Sequence, residues 1–263
     1  MKKYLFIIKT TFNDSIQYVS SLFFRFIGFA IMMFVLVSLW SFIYGDPDNI
    51  IKGYSFSQMI WYLLFAEAIS FGSGSKVATD EVKDNIKSGN IAYQINKPYN
   101  YIGYIICKYM ADTLIRFIAF LIIVIILGIV FAGPIPDFNY LSIISGIPIF
   151  LLAVLITGMV RILISLSAFW VEDSRPFQQV YNKIILMFGV FFPLEMFPSI
   201  VGKIVRYSPI YGVSYGPAKL VLSFSNELFK SILLSQLITI LIVMLIIYIV
   251  YKKGVKKLNV NGG

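Results

Sequence analysis

Two stretches of the chain, residues 26–44 and 231–251, contain no charged residue over a length that matches a lipid bilayer. The hydrocarbon core needs about 20 apolar residues in helical form, and inside it every backbone N–H and C=O must be satisfied within the segment. Each stretch therefore specifies a membrane-crossing helix. The composition agrees: 59% of residues are hydrophobic and 13% charged, about half the charge with which a soluble domain covers its surface. The net charge of +9 would suit nucleic acid if it formed one patch on a soluble body. Here the basic residues gather at the ends of apolar segments, which suits an anionic membrane surface and no nucleic acid.

Several kinds of chemistry are excluded. One cysteine, Cys107, and no histidine rule out an intrachain disulfide and a histidine-based metal or acid–base site. GSGSK at residues 72–76 lacks the GxxxxGK[ST] spacing of a phosphate loop and follows an apolar helix rather than a strand. No HExxH motif is present, and no GxSxG nucleophile elbow is expected. The chain is expected to hold no catalytic residue, no metal and no cofactor, so any work it does draws energy from a partner.

Four further crossings are expected between the two clear ones. They cover residues 54–72 (interrupted by Glu67), 109–132 (with Asp112 and Arg116 in its first turns), 140–170 (passing Arg161) and 180–194 (ending at Pro193). Residues 1–24 place Leu5, Ile8, Phe12, Ile16, Val19 and Phe23 on one helical face. This reads either as a helix lying in the membrane interface or as the wet start of the first crossing. The opening lysines suggest a signal peptide, but the apolar run stops at Lys9 and no small-residue cleavage site follows. The N-terminus is therefore expected to be retained in the cytoplasm.

That orientation puts Lys2, Lys3, Lys9, Lys76, Lys83, Lys87, Lys97, Lys108, Arg175, Lys183 and the four C-terminal lysines inside. Lys52, Lys203, Arg206 and Lys219 lie outside, with Lys230 at the edge. The expectation is an all-α integral membrane fold, a single transmembrane domain over 1–263, with both termini cytoplasmic in the plasma membrane. No internal repeat divides it.

Four constellations remain. The polar segment 76–98 begins with a capping-type Thr79, and Ser88–Gly89 can stop a helix. Val82 and Ile86 form a small apolar stripe, either a docking helix for a soluble partner or a solvated connection. A second polar segment, VEDSRPFQQ at 171–179, reads as a helix start at Ser174–Arg175–Pro176, or as an ordinary reversal. Asp112 and Arg116 are spaced to pair on one helix, and Glu67 and Arg161 are placed to pair between helices or to line a pathway. In the outer segment 193–228, Pro193, Pro198, Pro209 and Pro217 break an apolar run around Glu195. This fits a re-entrant hairpin sheltered by protein, or an aromatic belt with an outer loop.

This order of parts resembles the permease subunits of type-2 ATP-binding-cassette (ABC) exporters, in particular a branch of short bacterial permeases often encoded as pairs. The resemblance is carried by IKSGNIAYQINKPYNYIGY (86–104), LSAFWVEDSRPFQQVY (166–181) and FFPLEMFPSIVGKIVRYSPIYGVSYGPAKLVL (191–222). It implies a coupling helix with Asp80, Glu81, Lys83, Asp84 and Ile86, ended by Gly89, and a secondary contact through Glu172, Asp173 and Arg175. It also implies a separate ATPase in two copies that binds ATP and Mg, and a second permease, identical or a sister. Glu67, Arg161, Pro193, Glu195 and Pro198 are candidates for the pathway or its gating. The cargo expected is an amphipathic drug, lipid or antimicrobial peptide. The rival readings are an intramembrane enzyme and a membrane immunity protein that sequesters a toxic peptide without transport.

Overall fold

The computed structural model describes residues 6–11, 19–136 and 138–261 of the 263. The described chain is 83% helical, and its only sheet is a two-stranded hairpin, so the fold is nearly all-α. Residues 6–11 are helical. The rest of the amphipathic segment expected before residue 19 lies outside the described residues.

The helices are α1 (Val19–Tyr44), α2 (Phe56–Gly72), α3 (Val82–Lys87), α4 (Asn90–Ile95) and α5 (Tyr101–Ala132). Then come α6 (Tyr140–Leu166), α7 (Arg175–Ile185), α8 (Ser199–Arg206), α9 (Gly216–Leu222) and α10 (Asn226–Asn261). By length and composition, four helices can cross a membrane: Leu22–Tyr44, Tyr101–Ala132, Tyr140–Phe169 and Asn226–Lys257. The segments expected as the second and fifth crossings are shorter. Helix α2 has 17 residues, about 26 Å at 1.5 Å per residue. Helix α7 has 11 residues and runs into a π-helical turn, Leu186–Val190. The third segment begins earlier than expected, at Tyr101, because the Asn100 side chain accepts from the Gly103 amide and caps the helix there.

Helix α2 sits at the heart of the bundle. Residues Met59–Ile69 are all buried, and it packs mainly on α5, with α1, α9 and α6 around it. A helix enclosed on every side shows no polar face. Helix α6 is the other central element: 67% of its apolar window is buried, against 22% for the windows of α1, α5 and α10. The outward sides of those three remain apolar, as at Phe34 and Phe42 of α1, which suits lipid.

The connection between α1 and α2 opens on the polar residues Gly45–Asn49. It contains a hairpin in which β1 (Ile50–Ile51) pairs antiparallel with β2 (Tyr54–Ser55). Both turn residues, Lys52 (φ 51°) and Gly53 (φ 83°), have positive φ, the geometry that matches strand twist in a two-residue turn. The hairpin delivers Ser55 to the start of α2, where its hydroxyl accepts from the Gln58 amide and the Gln58 side chain accepts from the Ser55 amide.

Close helix contact depends on two glycines. A Cβ on Gly128 of α5 would lie 2.2 Å from the Trp61 ring, and one on Gly158 of α6 would lie 2.1 Å from the Tyr109 ring. Both rings are fully buried, so neither can swing away. We expect Gly128→Ala to lower stability by about 1–3 kcal/mol, read as a lower midpoint of thermal unfolding in detergent. Gly28→Ala, where a Cβ meets nothing within 4 Å, serves as the control and leaves the midpoint unchanged or slightly higher.

Candidate functional site: a polar platform, a charged groove and a carboxylate latch

The platform forms at the end of the bundle where α2 gives way to polar chain. Residues Val77–Glu81 make a π-helical turn that continues directly into α3. Thr79 does not cap this helix as its sequence suggests. It lies inside the turn, and its hydroxyl donates to the Ser75 carbonyl. The stop at Ser88–Gly89 is present: Gly89 adopts φ 75°, a left-handed conformation in which a side chain is strained.

The apolar stripe of this segment faces inward. Ala78, Val82 and Ile86 are all buried in the core, while Asp84, Lys87 and Gly89 are exposed. Ile86 therefore anchors the segment to its own chain, and the charged side is the one left open. Four contacts from other helices hold it. Ser165 of α6 donates to the carbonyls of Ala78 (2.8 Å) and Thr79 (3.1 Å). Lys108 of α5 pairs with Glu81 at 2.8 Å. Asn85 donates to the Tyr101 hydroxyl at 3.2 Å, and the Tyr101 ring stacks on Tyr251 of α10. Lys83, largely buried, lies between Asp80 and Asp84 at 3.5 and 3.4 Å.

The second polar segment arrives at the same place. Helix α7 starts at Arg175 with Pro176 in its first turn, as the sequence suggests. Asp173 accepts from the Arg175 amide at 3.0 Å and from its Nε at 2.6 Å. These bonds hold the Asp173 carboxyl below its ordinary pKa, the backbone bond contributing most, and the Lys83 charge adds to the effect. Arg175 is raised chiefly by its bond to Asp173, with Asp80 and Asp84 contributing, so charges of the two segments act on each other across the gap. Gln178 completes the joint, donating to the Arg161 carbonyl (2.8 Å) and to Ser165 Oγ (3.1 Å). Glu172 is exposed beside them.

Next to this platform a groove of about 870 Å³ opens, lined from α1 by Arg25, from α2 by Glu67, from α6 by Arg161 and from α7 by Lys183. Glu67 and Arg161, expected to pair between helices, line it without an ion pair. Both carboxylate oxygens of Glu67 and the Nε of Arg161 are buried with no hydrogen-bond partner. The physical reason is that the space stays open instead of collapsing onto the charges. The other expected pair does form: Arg116 binds Asp112 one turn away on α5.

At the opposite end of α2, Glu195 closes a latch. Its carboxylate accepts from Tyr54 (3.0 Å) and Tyr215 (2.7 Å) and faces the Lys219 ammonium at 3.2 Å. Pro193 and Pro198 flank the short turn Leu194–Met196 that carries it. Just inside, Tyr62 and Ser214 both donate to the Gly189 carbonyl, at 2.8 and 2.7 Å.

Sequence reading assigned no site role to Ser165, Gln178, Lys108, Tyr54 or Arg25. Ser165 and Gln178 sit in apolar and polar surroundings that give no local signal, and Lys108 reads only as one of the basic residues on the cytoplasmic side.

Two outcomes follow from this geometry. Ser165→Ala removes the donor that holds the π-helical turn, a loss of about 1–3 kcal/mol. It is expected to speed hydrogen exchange across Val77–Lys87 while α2 and α6 keep their protection. Burial alone would raise the Glu195 carboxyl, but the Tyr215 hydroxyl and the Lys219 charge outweigh it and leave its pKa below the ordinary value. The stabilisation is therefore fully present above the ordinary carboxylate range and is lost as pH falls through the lowered value. The acid-induced drop in thermal midpoint should accordingly be smaller in Glu195→Gln than in the unsubstituted protein.

No curated protein matches the chain. A family model described as ABC-2 family transporter protein matches residues 27–262. Members of that family are membrane components of ABC transporters, not themselves catalytic, and their membership implies an ATPase partner. With apolar helices long enough to cross a bilayer and a match over nearly its whole length, this chain belongs to the ABC-2 transporter family as an integral-membrane permease subunit.

Proposed function

We propose that the chain is half of the membrane unit of an ATP-driven exporter in the plasma membrane, crossing it six times with both termini in the cytoplasm. The observation that carries this reading is the convergence of two polar segments, Val77–Lys87 and Asp173–Arg175, on one end of the bundle. A surface built from two loops and braced by three helices suits a soluble partner that pushes on it. In this reading α2 and the helical run Arg175–Val190 are the second and fifth crossings. Tyr54 and Glu195 meet at one end of α2 and the polar segments gather at the other, which is the arrangement two full passages require.

The whole chain then forms one permease domain. The segment 193–228, with its short helices and the buried run Tyr211–Ala218, acts as a re-entrant outer hairpin. Asp80, Glu81, Lys83, Asp84, Ile86 and Gly89 make the main coupling element, and Glu172, Asp173 and Arg175 the second contact. Of these, Asp84, Gly89, Glu172 and Arg175 offer exposed groups, while Ile86 and Glu81 transmit through the chain's own core. Two copies of the ATPase, carrying ATP and Mg, sit beneath two permeases, identical or sister chains. The cargo is an amphipathic drug, lipid or antimicrobial peptide, moved outward.

Asp84 provides the test, because its side chain is 67% exposed and its replacement spares the fold. Asp84→Arg should weaken capture of the ATPase by about tenfold or more and uncouple cargo-stimulated ATP turnover in the reconstituted complex. Unchanged capture and turnover would remove the coupling assignment. Protection of cells by the chain beside an inactive ATPase would favour sequestration instead.

A further inference from the structure

We infer that the groove between α1, α2 and α7 binds an amphiphile whose head is a singly charged, phosphate-type anion. From the exporter reading this takes only the identity of the groove as the cargo's entrance; the binding itself rests on the charges that line it.

Three basic side chains packed within the bundle are matched by acids: Arg116 by Asp112, Lys108 by Glu81, Lys219 by Glu195. The groove is different. Arg25, Arg161 and Lys183 reach it from three helices, and Glu67 is the acid among its lining residues. Among the described residues none of the three cations has a salt-bridge partner. Arg25 donates to the Gly74 carbonyl at 3.2 Å, and Arg161 Nε has no acceptor at all.

An excess of positive charge beside apolar helices is unfavourable unless water or a ligand answers it, so the geometry favours an anion. Guanidinium groups present paired donors that match phosphate oxygens, and an ammonium adds a third point of contact. Glu67 faces the same space with both oxygens free of hydrogen bonds. In its ionised form it repels a second negative charge, which favours a phosphodiester over a dianionic phosphate. Met32, Phe71 and Leu186 line the same groove and supply the apolar wall that a tail requires.

The test is equilibrium binding of a tail-labelled phosphatidylglycerol to the purified full chain in detergent, followed by fluorescence anisotropy without ATP. Saturable binding is expected, with phosphatidylcholine of the same tail at least about tenfold weaker, since its choline cation offsets the phosphate charge and meets the three cations of the groove. Lys183→Gln, at an exposed position, should weaken the anionic probe about tenfold. Glu67→Gln should tighten it about fivefold by removing repulsion. Opposite signs from two substitutions in one groove are not produced by misfolding. Lys203→Gln, in the outer segment, should change nothing.

Equal binding of the two lipids would overturn the inference, as would indifference to Lys183→Gln. Inorganic phosphate that displaced the probe at equal concentration would do the same, because the site would then hold a free anion and not an amphiphile. If these binding results fail while Asp84→Arg still uncouples ATP turnover, the groove assignment falls and the exporter reading stands. The converse pattern leaves the groove and removes the exporter.

Discussion

Helix α2 is buried along nearly its whole length yet has only 17 residues, and much of the architecture answers the problem its two ends create. Each end of a helix leaves up to four N–H or C=O groups without intrahelical partners, and away from water such groups carry a penalty of several kcal/mol in the least favourable setting. At its N-terminal end the Ser55–Gln58 capping box takes up the first donors, while Ser57 and Trp61 donate to the carbonyls of Ala132 and Gly133 at the end of α5. At the other end the Tyr109 hydroxyl lies within bonding distance of the Ser73 and Val154 carbonyls. Ser75 bonds Asp112 and accepts from the Val77 amide. The partners come from α5 and α6, so satisfying a short helix also fixes where its longer neighbours begin and end.

The same economy explains the distribution of charge. A charge at membrane depth is tolerated when it pairs, reaches the headgroups or faces water. Asp112 with Arg116, and Glu81 with Lys108, take the first course, and each pair joins or stiffens elements that must keep their relative positions. Arg25, Arg161, Lys183 and Glu67 form no ion pair among the described residues and line a space that has not closed. Paired charges thus mark the frame, and unpaired ones mark the place where the frame admits something else.

What could be read from the sequence was mostly local. Gly89 as a helix stop, Pro176 in a first turn, and the Asp112–Arg116 pair all depend on residues within one or two turns of each other, where propensity and spacing carry the information. The long apolar runs were equally plain. The hairpin at Ile50–Ser55 was missed because Lys52 takes a positive φ that its residue type does not advertise. The stripe of Val82 and Ile86 was visible, but periodicity gives a face and not its direction. Only the packing shows that it turns inward. Ser165 was beyond reach for a different reason: its two carbonyl partners lie 86 and 87 positions away, and a serine in an apolar helix looks the same with or without them.

Those long-range bonds bear on how force would travel in the exporter reading. The exposed side of α3 is backed by Ser165, and Ser165 also accepts from Gln178, which in turn holds the Arg161 carbonyl. Arg161 lies about one helical turn before Ser165 on α6 and lines the groove. A displacement of the coupling segment therefore meets α6 and α7 at the turn that carries a groove cation, with no intervening loop to absorb it. A soft connection would dissipate such a push. Here the segment is bonded to α5 through Lys108 and to α6 through Ser165, and is linked to α10 through the Tyr101–Tyr251 stack. The available response is movement of whole helices, and the groove between α1, α2 and α7 is where such movement has room to change the volume enclosed.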